Sequence, residues 1–97
     1  MSKLTRSEAY DIVDSERAYQ EMRVVRDRSA SGEEYGRPHS PDEFLLYMEH
    51  YLFLARQTCA TTWGPAANQA TMDVLRKVTA LGVAAIEANG CPRREGF

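Results

Sequence analysis

The sequence has no apolar run near the roughly 20 residues that a membrane-spanning helix needs, so no span is expected. Met1-Ser2-Lys3-Leu4-Thr5-Arg6 leads straight into polar helical sequence, without the apolar centre of a signal peptide. A cytoplasmic location is the expectation. Cysteine and histidine are scarce, at two each. Cys59 and Cys91 lie far apart, in no CxxC, with no histidine at ligand spacing, which excludes the common zinc patterns. One disulfide between them stays open, with free thiols the expected state. The six glycines form no phosphate-binding loop. No nucleophile elbow and no HExxH occur either. Twelve basic residues against 14 acidic leave a net charge of -2, so no global field draws nucleic acid or an anionic membrane. Phosphate binding would have to come from a local cluster.

What is present is helical sequence. The chain has 97 residues, 27% charged and 43% hydrophobic, enough for one modest core. A single all-α domain is expected, with helices over 5–28, 40–62 and 66–89, a loop over 29–39 and a basic tail over 90–97. Thr5-Arg6-Ser7-Glu8 is a capping box that opens the first helix. Ile12, Tyr19 and Met22 share one of its faces with Glu16 and Arg23. The Ser29-Ala30-Ser31-Gly32 stretch is expected to break it. Ser40-Pro41-Asp42-Glu43 starts the second helix: Ser40 caps, Pro41 fits the first turn, Asp42 favours the positive dipole end and Glu43 completes the box. Trp63-Gly64-Pro65 ends it. Asn89-Gly90, with Pro92 beyond, closes the third.

The second helix is the unusual one. Phe44, Met48, Tyr51, Leu52, Ala55 and Cys59 form one stripe, and Leu46, His50, Phe53 and Gln57 form another, nearly opposite. Two buried sides are required. Flanking helices one and three would satisfy this within a monomer. The favoured expectation is an oligomeric bundle, because the first helix has too few large apolar residues to cover Leu46 and Phe53. Helices two and three, joined by a short loop, are expected to form a long antiparallel hairpin. The third helix carries Thr71, Leu75, Val78, Gly82, Ala85 and Ile86 as its main stripe, and Gly82 lets a neighbour approach.

Glu16-Arg17-Ala18-Tyr19-Gln20-Glu21, then His39-Ser40-Pro41-Asp42-Glu43-Phe44-Leu45 and the hairpin, resemble the compact MazG-like members of the all-alpha nucleoside triphosphate pyrophosphohydrolases, small proteins common in phages and bacteria. The likeness runs from about Ser15 to Asn89. In that family an ERxRQDxKW-type segment is followed by helices bearing ExxE and ExxD, whose carboxylates hold Mg²⁺ on a triphosphate. Glu49 and Asp73 match the first carboxylate of each pair. Leu52 and Arg76 occupy the partner positions, Lys77 follows, and Val24 stands where the opening segment would approach its tryptophan.

The resemblance therefore implies a nucleotide pocket with cations where metal once neutralised phosphate. No cofactor is expected in that case. The candidate ligand residues are Glu16, Tyr19, Gln20, Arg23, Glu49, Arg56, Asp73, Arg76 and Lys77. Arg76 would fork onto an anion, and Tyr19 or Trp63 would stack on a base. Leu46, His50, Phe53 and Gln57 are the candidate subunit contact. The expected function is a non-catalytic homo-oligomer that binds a nucleotide or other phosphorylated small molecule. One alternative is a Mg²⁺-dependent pyrophosphohydrolase using Glu49 and Asp73, with Glu16 or Glu43. Another is a module or inhibitor that binds a host protein. The competing structural reading of Arg76 is an ion pair with Asp73 on a solvated face. His39 is expected to be solvated.

Overall fold

The computed structural model describes residues 2–31, 39–61 and 63–97, with the side chains of residues 24–31 left aside. Three helices make up the fold, and no strand occurs among the described residues: α1 (Arg6–Ser31), α2 (Pro41–Thr61) and α3 (Pro65–Asn89). The all-α expectation holds.

Local chemistry sets the helix ends. The Glu8 amide donates to Thr5 Oγ1 at 3.2 Å, and the Thr5 amide donates to Glu8 Oε1 at 3.0 Å. The Thr5 amide, and then its hydroxyl, hold the Glu8 carboxyl below its ordinary pKa. This support for the helix start is complete above the usual glutamate range and fades as pH falls through the lowered value. At α2 the same reciprocal pair forms at 3.3 Å each way between Ser40 and Glu43. We expect Ser40→Ala to lower unfolding free energy by about 1 kcal/mol. Urea denaturation would check it, and an unchanged midpoint would refute the cap. α3 is bracketed by Gly64 and Gly90, both at φ 75°, a conformation that suits glycine. The Gly90 amide donates to the Ile86 carbonyl at 2.7 Å.

Several boundaries differ from expectation, and α1 and α2 each begin one residue after their capping residue, at Arg6 and Pro41. α1 continues to Ser31 instead of stopping at Arg28, because Ser29, Ala30 and Ser31 include no glycine or proline to halt it. α3 begins at Pro65, one residue early, since proline is at ease in a first turn. Residues 32–38 of the expected loop, with Arg37 among them, lie outside the described residues, as do Thr62 and the side chains of Arg26 and Arg28.

The packing order differs from the arrangement in which α2 lies between the other two helices. Among the described residues α3, not α2, is the middle helix: α2 and α1 each pack against it, and no packing of α1 on α2 occurs there. Cys59 Sγ lies 3.0 Å from Thr71 Oγ1, the Met48 methyl lies 3.9 Å from a Cβ built on Gly82, and Asn89 Nδ2 donates to the His39 carbonyl at 3.1 Å. Gly82 thus sits where α2 comes close. The buried apolar set is small, being Phe44, Ala55, Ala67, Ala80 and Ala84 among the described residues. On α2 the Phe44–Ala55 side is the inner one, whereas Leu46 is 64% and Phe53 55% exposed. The molecule is broad and thin, 43 × 41 × 22 Å. Its radius of gyration is 15.5 Å, where about 12.5 Å is usual for this length. No described helix is long and apolar enough to cross a membrane. Cys59 and Cys91 are both free and exposed.

Candidate functional site at the α1–α3 seam

α1 meets α3 through polar side chains. Glu16 is its one buried side chain among those described, at 7% exposure. A carboxylate so placed needs a partner, and Arg76 supplies it: Nε donates to Glu16 Oε1 at 2.7 Å. Nη1 of the same guanidinium donates to Asp73 Oδ1 at 3.0 Å, one helical turn back. The Glu16 hydrogen bond is the main reason that Arg76 is held above its ordinary pKa; burial opposes it and Asp73 adds to it. Gln69 also donates to Asp73 Oδ1, at 3.1 Å. Further along, Gln20 Nε2 donates to the Lys77 carbonyl at 3.2 Å, and Arg17 bridges α1 and α3 by pairing with Glu87. Gln20 Oε1 is buried with no hydrogen-bond partner among the described residues.

Beside this cluster an open groove of about 720 Å³ runs between the start of the chain, α1 and α3. Leu4, Ile12, Val13, Met72 and Leu75 give it an apolar floor, and Asp73 and Arg76 stand in its wall. The arrangement offers flat apolar contact next to a guanidinium that two carboxylates already engage. Nη2 of Arg76 makes no hydrogen bond to a described residue.

Five of the nine candidate ligand residues therefore meet at one seam: Glu16, Gln20, Asp73, Arg76 and, through its backbone, Lys77. The Lys77 ammonium goes elsewhere, lying 5.9 Å from the centre of the Tyr51 ring on α2. Tyr19 and Arg23 are exposed on α1. Glu49 and Arg56 are exposed on α2, which makes no packing contact with α1 among the described residues. Trp63, considered as a base platform, is 86% exposed. Two nitrogens of Arg76, Nε and Nη1, are already committed to Glu16 and Asp73. His39 also departs from expectation. It is half-buried, 2.8 Å from Glu43, with Phe44 and Tyr47 edge-on to its ring. Its i, i+4 spacing to Glu43 was the available signal. The groove floor gave none, because its residues come from three separate stretches.

The chain has no significant match among protein-family models, characterised proteins or solved structures.

Proposed function

We propose that this chain is a non-catalytic, homo-oligomeric helical protein that binds, and so sequesters, a nucleotide or another phosphorylated small molecule on a MazG-like scaffold. The observation that carries the ligand reading is the convergence of Glu16, Gln20, Asp73 and Arg76 beside a groove of about 720 Å³. Small-molecule sites of roughly 300–1,000 Å³ are usual. A base has an apolar floor in Ile12, Met72 and Leu75, and an anionic group has Arg76. The two arms on Arg76 differ in strength. Glu16 is buried and holds; Asp73 is only half-buried and pairs at i, i+3, an arrangement worth only a few tenths of a kcal/mol. A phosphate would replace the Asp73 arm and keep the Glu16 arm. The same reading puts the protein in a cytoplasm that keeps Cys59 and Cys91 reduced.

Support for an antiparallel α2–α3 hairpin comes from three contacts, Cys59–Thr71, Met48–Gly82 and His39–Asn89, which advance in opposite directions along the two helices. Self-association draws on Leu46 and Phe53, with His50 and Gln57 on the same exposed side. The hydrolase alternative has weaker support. Glu16 and Asp73 are tied to a cation, and no group of three or more His, Cys, Asp or Glu suited to a metal occurs among the described residues. The exposed Leu46–Phe53 stripe equally serves the reading in which another protein docks there, and solution mass separates the two.

Calorimetry against nucleotides, cyclic dinucleotides and ADP-ribose-type compounds tests the ligand reading. Binding is expected for at least one. Arg76→Ala should weaken it tenfold or more, Arg94→Ala should leave it unchanged, and Asp73→Asn should strengthen it several-fold. No binding by any compound sinks the ligand class.

A further inference from the structure

The outward side of α2 is apolar along its middle and charged at two matched points. Leu45, Leu46, Tyr47, Leu52, Phe53 and Leu54 are all exposed on this helix. At helical spacing Leu46 and Phe53 point almost directly away from the buried Phe44 and Ala55. His50 and Gln57 flank that line on one side, and Glu49 and Arg56 flank it on the other. Beyond its first turn α2 carries one acid, Glu49, and one strong base, Arg56. Both are exposed, and neither forms an ion pair with a described residue. They stand two turns apart on one ridge, about 10 Å along the axis, with Leu52 level with the midpoint.

Opposite charges set evenly about a midpoint are complementary to their own copy. In two α2 helices packed antiparallel about a two-fold axis level with Leu52, Glu49 of one chain faces Arg56 of the other. The symmetry repeats that pair on the far side of the axis. The same register sets Leu46 against Gln57, His50 against Phe53 and Tyr47 against Leu54. A parallel copy in register would instead oppose Glu49 to Glu49 and Arg56 to Arg56, which like charges disfavour. A partner of another sequence places no such condition on the spacing of the two charges.

We propose that a second copy of this chain packs antiparallel on the outward side of α2, held in register by two reciprocal Glu49–Arg56 ion pairs. This rests on the self-association reading above and deepens it by fixing the direction and register of the contact. Leu46 and Phe53 supply the apolar burial; the charge pairs select a copy of the same chain in one orientation.

Charge exchange tests this, with light scattering over a dilution series to read mass and circular dichroism to verify helix content. The parent is expected to be a dimer. Glu49→Arg and Arg56→Glu should each raise its dissociation constant about tenfold or more, because each turns two attractive pairs into repulsive ones. Combining both substitutions in one chain should restore the parent behaviour. An equimolar mixture of the two single variants should form a mixed dimer, although neither pairs with itself. If the single variants dissociate and neither the exchange nor the mixture restores the mass, the two charges do not face each other and the register is refuted. If Phe53→Asp dissociates the parent and both charge reversals leave it intact, self-association through α2 stands and the antiparallel register is refuted. A parent that stays monomeric at every concentration refutes both.

Discussion

Phe53→Asp should split the protein into smaller species and leave its helices intact. In the single chain Phe53 is 55% exposed. The substitution therefore costs an isolated chain little. In an α2–α2 contact the same ring would be buried near the centre of the stripe, with Leu46 one side and Gln57 the other. Losing a buried phenylalanine costs about 3–5 kcal/mol. The carboxylate adds a desolvation penalty of its own. Even 4 kcal/mol corresponds to a dissociation constant raised about a thousandfold. Light scattering across a hundredfold dilution series would read this as a lower mass and an earlier onset of dissociation. Phe53→Leu should stay close to the parent. A mass that ignores Phe53→Asp at every concentration would remove α2 from the interface.

The sequence disclosed what is encoded locally. Both capping boxes form as their residue types require, because a Ser or Thr three residues before Glu can satisfy two helix-end amides without help from the rest of the fold. The inner side of α2 was equally readable, since Phe44, Met48 and Ala55 recur at helical spacing. The docking of α1 was not. Apolar periodicity singled out Ile12, Tyr19 and Met22, and all three are exposed. α1 instead packs through Glu16, Arg17 and Gln20, whose partners Arg76, Glu87 and Lys77 lie 57 to 70 residues away. A polar stripe looks the same in sequence whether it faces water or a distant guanidinium. The consequence for topology was large. With α1 matched to the wrong face, nothing indicated that α3 is the middle helix. Among the site residues, Arg76 and Asp73 were legible as an i, i+3 pair, and the fold added Glu16 as a third member from another helix.

That third member makes the Glu16–Arg76 pair the tie between α1 and α3 that involves a buried carboxylate. We expect Arg76→Ala to destabilise the protein by about 2–3 kcal/mol. The penalty arises less from the lost attraction than from the buried Glu16 carboxylate left without a partner. Fully buried pairs broken in this way cost about 3–5 kcal/mol; here the Arg76 side chain is 35% exposed, which admits water and lowers the figure. Glu16→Gln should cost about 1 kcal/mol, because an amide oxygen still accepts from Nε. Replacing both residues by leucine should recover most of the loss, since apolar side chains of similar volume are often as stable as a buried ion pair. Urea denaturation gives the free energies, and amide exchange locates them. Because Glu16 ties α1 to α3 through Arg76, the α1 amides should exchange about 30- to 100-fold faster in Arg76→Ala, with those of α2 and α3 affected less. A variant as stable as the parent, or one in which all three helices loosen equally, would show that α1 is held by something other than this pair. The double leucine variant separates stability from binding: it should fold well and bind no phosphorylated ligand, because the guanidinium that the ligand needs is gone while α1 stays in place.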